Sequence, residues 1–185
     1  MKTLLYYILK IISKLKREKN QETLLRFFRK EGISLGEDTR IYSNIVTSEP
    51  HLIQIGSNTT VSVDVKFVTH DNSISKVLPD ASDLFGRIRI GDNCFIGESS
   101  VIMYGVTLAD NIIVAAGSVV TRSFDESNVI IGGNPARRIS TWESFAEKSR
   151  PYTWNLRKIS REEEVRLQNE GVKLIERVAK NERTE

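Results

Sequence analysis

Residues 90–125 repeat in sixes: Ile90-Gly-Asp-Asn-Cys-Phe, Ile96-Gly-Glu-Ser-Ser-Val, Ile102-Met-Tyr-Gly-Val-Thr, Leu108-Ala-Asp-Asn-Ile-Ile, Val114-Ala-Ala-Gly-Ser-Val and Val120-Thr-Arg-Ser-Phe-Asp. An amphipathic helix repeats its apolar residues about every 3.6 positions and a half-buried strand every second one, so a period of six fits neither alone. It fits a solenoid in which short strands, joined by corners, stack coil on coil: a parallel β-helix. The same phase runs back through Leu35, Ile41, Ile55, Val61 and Phe67, so all eleven heads are Ile, Val, Leu or Phe.

Each place in the six has a physical reading. The head points into a narrow interior, and the second residue is often small, as at Gly36, Gly56, Gly91, Gly97, Ala109 and Ala115. The fourth is mostly a residue that tolerates a corner's unusual dihedrals: Asp38, Asn44, Asn58, Asp64, Asn93, Asn111. The fifth leans inward and is usually small or β-branched, which makes the lone Cys94 a core thiol. One cysteine excludes a disulfide framework and a thiolate metal cluster, and it is compatible with a reducing cytoplasm.

Two interruptions break the phase. From Ile41 to Ile55 the spacing is fourteen where twelve would keep the phase, so two extra residues enter around Ser48-Glu49-Pro50-His51, and a bulge at a corner accommodates them best. From Phe67 to Ile90 the spacing is twenty-three, and residues 73–89 lose the pattern. Excursion loops of that length inside a compact repeat are more often functional than accidental.

The ends are of another kind. Residues 1–34 form a basic N-terminal segment, expected to be helical to residue 30, with Leu4, Ile8, Ile11 and Leu15 in one stripe, Leu5 and Ile12 widening it, and Gly32 as the stop. The run is broken by Lys10 and Lys14 and is too short to span a bilayer. Two roles remain open for it: packing its stripe on the solenoid or a partner subunit, or resting residues 1–19 on an anionic membrane surface. Residues 1–30 hold nine basic residues against Glu18 and Glu22, while the whole chain carries +3, so the high pI belongs to this segment and implies no nucleic-acid partner. Residues 35–139 form the β-helix, ending where Gly132-Gly133-Asn134-Pro135 forces a sharp turn. In residues 140–185 a short helix is expected over 141–149 and a second after Ser160-Arg-Glu-Glu, a capping box, with Val165, Val172, Ile175 and Val178 as its apolar residues. These helices are expected to cover the solenoid's open end.

With the sixes stand three further motifs: Val68-Thr69-His70-Asp71 just before the excursion, residues 115–122 (Ala-Ala-Gly-Ser-Val-Val-Thr-Arg), and Gly133-Asn134-Pro135-Ala136-Arg137. In this order they resemble the hexapeptide-repeat acyltransferases, in the branch of the maltose, galactoside and surface-polysaccharide O-acetyltransferases, over residues 32–140. The resemblance implies a mainly β fold, a single-stranded left-handed parallel β-helix; the sixes themselves do not set the hand. It implies acetyl-CoA as co-substrate with no metal required, a homotrimer with the active site shared between chains and a carbohydrate acceptor; the expected place of work is the cytoplasm, with membrane contact left open.

Acetyl transfer from a thioester to a hydroxyl needs a base, and histidine titrates in the right range. The chain has two. His70 matches the family's catalytic histidine; as a fourth-place residue it would otherwise be an ordinary corner. His51, in the two-residue insertion, is a corner histidine or a contact to the acceptor. Asp71 is a charge where a small side chain is usual, so it needs a partner; it would orient the imidazole or bind the acceptor. Asn44 has no assignment. By family correspondence the coenzyme's arm lies along Ala116 and Gly117, and its phosphates meet Thr121, Arg122 and Arg137, with Arg138 adjacent. The alternatives are an amino-sugar N-acetyltransferase using the same base, a non-catalytic β-helix scaffold, and a metal-dependent hydratase, for which two histidines are too few.

Overall fold

The computed structural model describes residues 2–15 and 21–175. Two compact units divide the chain, 1–142 and 143–185.

In the first unit a parallel β-helix presents three faces. One carries β1 (Ser34–Leu35), β3 (Ile53–Ile55), β8 (Ile88–Ile90) and β11 (Thr107–Leu108). The second carries β2 (Arg40–Ile41), β4 (Thr60–Val61), β9 (Phe95–Ile96), β12 (Ile112–Val114), β14 (Val129–Gly133) and β15 (Ala136–Thr141). The third carries β5 (Lys66–Phe67), β10 (Val101–Ile102) and β13 (Val119–Val120). Strands stack head on head: Ile90 on Leu108, Ile96 on Val114 and Ile102 on Val120, each pair eighteen residues apart, which is three sixes to a coil. Leu35 pairs with Ile55 and Ile41 with Val61, twenty apart, so the insertion is absorbed within one coil. Ile55 pairs with Ile90 and Phe67 with Ile102, thirty-five apart, because the whole excursion leaves and rejoins the same coil.

The heads fill the interior. All are buried except Leu35, which is half-buried. The buried hydroxyls of the fifth place satisfy themselves on neighbouring carbonyls: Thr39 donates to Gly56 O (2.8 Å), Thr59 to Gly91 O (3.0 Å) and Ser100 to Ala115 O (3.1 Å). Cys94 is buried in this series, and burial pushes its thiol up to about 11. The corners use left-handed dihedrals at Asp38, Asn58, Asp64, Asn93, Ser99 and Asn111, and Asn58, Asn93 and Asn111 join side chain to side chain at 2.8 and 2.7 Å. At Gly97 a Cβ would stand 2.5 Å from the Ala116 nitrogen, so the second place is small because the next coil's backbone fills the space.

Two helices precede the coils, α1 (Lys2–Leu15) and α2 (Glu22–Glu31). The second is closed by Gly32 at φ 112°, with Ile33 N–H reaching back to Phe28 O at 3.1 Å, and it buries Leu24, Leu25 and Phe28. The first does not pack the stripe expected of it. Leu4, Ile8 and Ile11 are exposed and Tyr6 is buried, while the Leu15 side chain lies outside the described residues. At the other end β15 turns back through Gly133-Asn134-Pro135 and pairs antiparallel with β14, covering that sheet's last edge with a strand.

The second unit contains most of α3 (Trp142–Ser149) and all of α4 (Arg161–Asn169). Ser160 caps α4 by accepting from Glu163 N–H at 3.2 Å, while the Glu163 carboxylate pairs with Arg166 at 2.7 Å. Gly171, at φ 71°, follows the helix end, so Val172 and Ile175 fall outside it; Val178 lies outside the described residues.

Candidate active site

His70 departs from the corner geometry of its place in the six. Asp64, in the same place one six earlier, has φ 55°, whereas His70 is in extended β6 (His70–Asp71), which pairs antiparallel with β7 (Leu84–Phe85). The excursion therefore leaves after Asp71, makes a short 3-10 turn at Ser73–Lys76, and returns to lay Phe85 opposite His70, ring centroids 5.9 Å apart. Its tip stays outside, with Val77 and Leu78 exposed.

The imidazole is held from the other interruption. His70 Nδ1 lies 2.8 Å from Glu49 Oε2, and Thr69 Oγ1 donates to the same oxygen at 2.8 Å. Thr47 Oγ1 is 2.6 Å from Thr69 Oγ1 and accepts from Glu49 N–H at 3.1 Å. Each hydroxyl has one proton, so the consistent chain runs from Thr47 to Thr69 to Glu49. The Thr69 hydrogen bond, then the His70 hydrogen bond and charge, hold the Glu49 carboxyl below its usual range. The linkage has a fixed sign: a depressed carboxyl pKa contributes stability above the ordinary carboxylate range, lost as pH falls through the depressed value. Near neutrality Glu49 is an ionised acceptor, so in the neutral imidazole Nδ1 carries the proton and Nε2 the lone pair. That is the tautomer a general base requires.

Sequence reasoning missed Glu49. His51, its neighbour in the insertion, is exposed on the turn Pro50–Leu52. The signal was present: a coil that advances by twenty residues sets position 49 beside position 69. Asp71, offered as the imidazole's partner, accepts from Ser73 N–H at 2.8 Å. Hydrogen bonds from Ser73, and then from the Tyr104 side chain, hold its carboxyl low.

The expected coenzyme residues divide between faces. Val68 N–H bonds Ile102 O and Met103 N–H bonds Val120 O, so the β5, β10 and β13 strands continue in register beyond their ends. Thr121 thus follows Val68 and Met103 in one column, and Arg122 follows Thr69 and Tyr104 in the next. At about 4.8 Å per coil, Arg122 stands roughly 10 Å along the solenoid from the residue preceding His70. Its guanidinium lies 5.0 Å from the Phe124 ring centroid. Ala116 and Gly117 form the exposed corner before β13, and a Cβ at Gly117 would meet nothing within 4 Å. Arg137 and Arg138 are exposed on β15, on the second face; Arg137 is paired with Gly132, and Arg138 is bonded to Glu126 at 3.2 Å. Arg122 and Arg137, neighbours in the motif order, do not share a face.

A cleft of about 380 Å³ opens between α1 and the coils, lined by Tyr6, Lys10, Tyr42, Asn44 and Lys66 among others, and Val68 on its wall is two residues from His70. Among the described residues no group of three or more His, Cys, Asp or Glu is arranged to hold a metal ion.

Residues 87–122 match the family model described as the hexapeptide repeat of succinyl-transferase. The galactoside O-acetyltransferase of Escherichia coli (strain K12) is 30% identical over 108 residues, 58% of this chain and 53% of that protein. Protein CapG of Staphylococcus aureus is 42% identical over 126 residues, 65% of this chain and 72% of CapG. The chain belongs to the hexapeptide-repeat acyltransferases. A galactoside acetyltransferase solved in complex with coenzyme A shares the fold, with a TM-score of 0.54 at 21% identity over 86% of this chain and 88% of that one. With membership in the hexapeptide-repeat acyltransferases goes the left-handed winding of the coils. The chain spans about half the length of the galactoside O-acetyltransferase and nearly three quarters of CapG.

Proposed function

We propose that the chain transfers the acetyl group of acetyl-CoA to a sugar hydroxyl, with His70 as general base and Glu49 as its positioning residue. The Glu49–His70 pair at 2.8 Å carries the proposal, because it fixes the tautomer that leaves Nε2 to take a proton. As the acceptor oxygen attacks the thioester carbonyl carbon, its proton passes to Nε2. The tetrahedral intermediate collapses by breaking the carbon–sulfur bond, and the imidazolium returns the proton to the departing thiolate. No acyl-enzyme forms. Asp71, on the strand with His70, contacts the acceptor. Ala116 and Gly117 admit the pantetheine arm, while Thr121, Arg122, Arg137 and Arg138 take the phosphates.

The working unit is a homotrimer. A ligand lying along the face of His70 and Arg122 does not reach Arg137 of the same chain without rounding a corner, whereas a neighbouring prism brings its own Arg137 alongside. The second face also presents an outward row unlike a solvated sheet: Thr60, Phe95 and Ile113 are in register across it, with Phe95 exposed. Coenzyme A release, measured over a panel of sugars, glycosides, nucleotide sugars and amino sugars, tests the reaction, and turnover only with amines would replace O-transfer by N-transfer. Mixing His70→Ala with Arg137→Ala subunits tests the assembly. Recovered activity supports a site shared between chains, and a fully active monomer contradicts it.

A further inference from the structure

Helix α1 is fastened to the coils by its less apolar side. At about 3.6 residues per turn, Leu4, Ile8 and Ile11 share one arc, Leu5 widens it, and Tyr6 lies roughly opposite. Tyr6 is the side chain that docks: it is 1% exposed, its hydroxyl donates to Tyr42 O at 3.1 Å, and its ring stands 6.0 Å from that of Phe28. Burial pushes its phenol up to about 12, as a fixed neutral donor requires. The aliphatic arc is left outside, with Leu4 66%, Leu5 44%, Ile8 44% and Ile11 60% exposed. Single exposed aliphatics are ordinary, but four on one arc of one helix form a contiguous patch that needs a partner.

Charge selects the partner. The first seventeen residues contain Lys2, Lys10, Lys14, Lys16 and Arg17 and no acidic residue. Pairing the arc with the same arc of a second copy would bring two such cationic segments together, which repel. An anionic lipid surface takes up the aliphatic arc and attracts the segment's net positive charge, although Lys10, 5.6 Å over the Tyr6 ring, stays on the docked side. The helix has fourteen residues, and no described helix is long and apolar enough to cross a membrane, so it would lie in the interface plane. We propose that α1 anchors the protein to an anionic membrane surface, with Leu4, Leu5, Ile8 and Ile11 entering the lipid and Tyr6 holding the coils against the helix's other side. The proposal stands whichever acceptor is acetylated.

The test is co-sedimentation of the full chain with phosphatidylcholine vesicles containing or lacking phosphatidylglycerol, at low and high salt. The comparison variant carries Leu4→Ser, Ile8→Ser and Ile11→Ser together, all at exposed positions. Binding to phosphatidylglycerol vesicles is expected to exceed that to pure phosphatidylcholine by about tenfold or more, to fall in high salt, and to vanish in the variant, whose melting temperature and oligomeric mass stay unchanged. Binding indifferent to phosphatidylglycerol, or equal pelleting of the variant, overturns the proposal. So does a variant with altered mass, which would make the arc a subunit contact, or one that melts early, which would make it part of the core.

Discussion

From Ile90 to Val120 the paired strands lie eighteen residues apart, and the corner at Asn93 and Asn111 is closed by side chains that bond to one another. Between Ile41 and Ile90 the same repeat advances first by twenty and then by thirty-five, and there Glu49, Thr69 and His70 meet. The difference is instructive. A regular coil commits most places in the six to the interior, to a corner or to close stacking, which leaves few side chains, the exposed Arg122 among them, to aim at a ligand. A coil that takes on extra residues frees some of them: the two-residue insertion carries Glu49 onto His70, and the excursion brings Phe85 back beside it.

The contrast is broken most sharply at His70. His70→Ala is expected to lower turnover by a factor on the order of 10²–10⁴ with little change in acetyl-CoA affinity or melting temperature, measured by steady-state kinetics, calorimetry and thermal unfolding. Near-normal turnover would remove His70 as the base.

A regular coil should answer the other way. Ile96 is fully buried, so Ile96→Ala costs about 2–5 kcal/mol of stability. Denaturant unfolding reads that loss, while activity per folded molecule remains near that of the parent. A large drop in turnover with stability intact would erase the division between the two regions.

Arg122 refines the boundary, since it belongs to the last regular six yet stands on the face of His70. A charge-assisted hydrogen bond to a phosphate contributes about 1.5–3 kcal/mol, so Arg122→Ala should weaken acetyl-CoA binding roughly ten- to a hundredfold. Dephospho-CoA separates the phosphates: it feels the change less if the 3′-phosphate is the partner. Unchanged affinity for both would return Arg122 to its contact with Phe124.

The period of six was enough to place the heads, the small second residues and the fifth-place thiol, because each answers to a local packing demand repeated in every coil. His70 was legible through the motif around it. Glu49 was not, because its role exists only once the twenty-residue advance stacks it beside Thr69, and residue type points first to His51 as the notable member of the insertion. The stripe of α1 was legible as a stripe, but its orientation was not: the helix is turned by one phenol, Tyr6, bonded to a carbonyl thirty-six positions away. Nor does motif order show that Arg137 leaves the face of Arg122, since that separation is made by the corner and hairpin between them.

The most direct measurement is a double-mutant cycle on turnover with His70→Ala, Glu49→Gln and the pair of changes together. If Glu49 acts by holding the imidazole, Glu49→Gln alone lowers turnover at unchanged acetyl-CoA affinity, and the double variant is no slower than His70→Ala. Effects that multiply across the two sites would show Glu49 working apart from His70 and contradict a site assembled by joining the two interruptions.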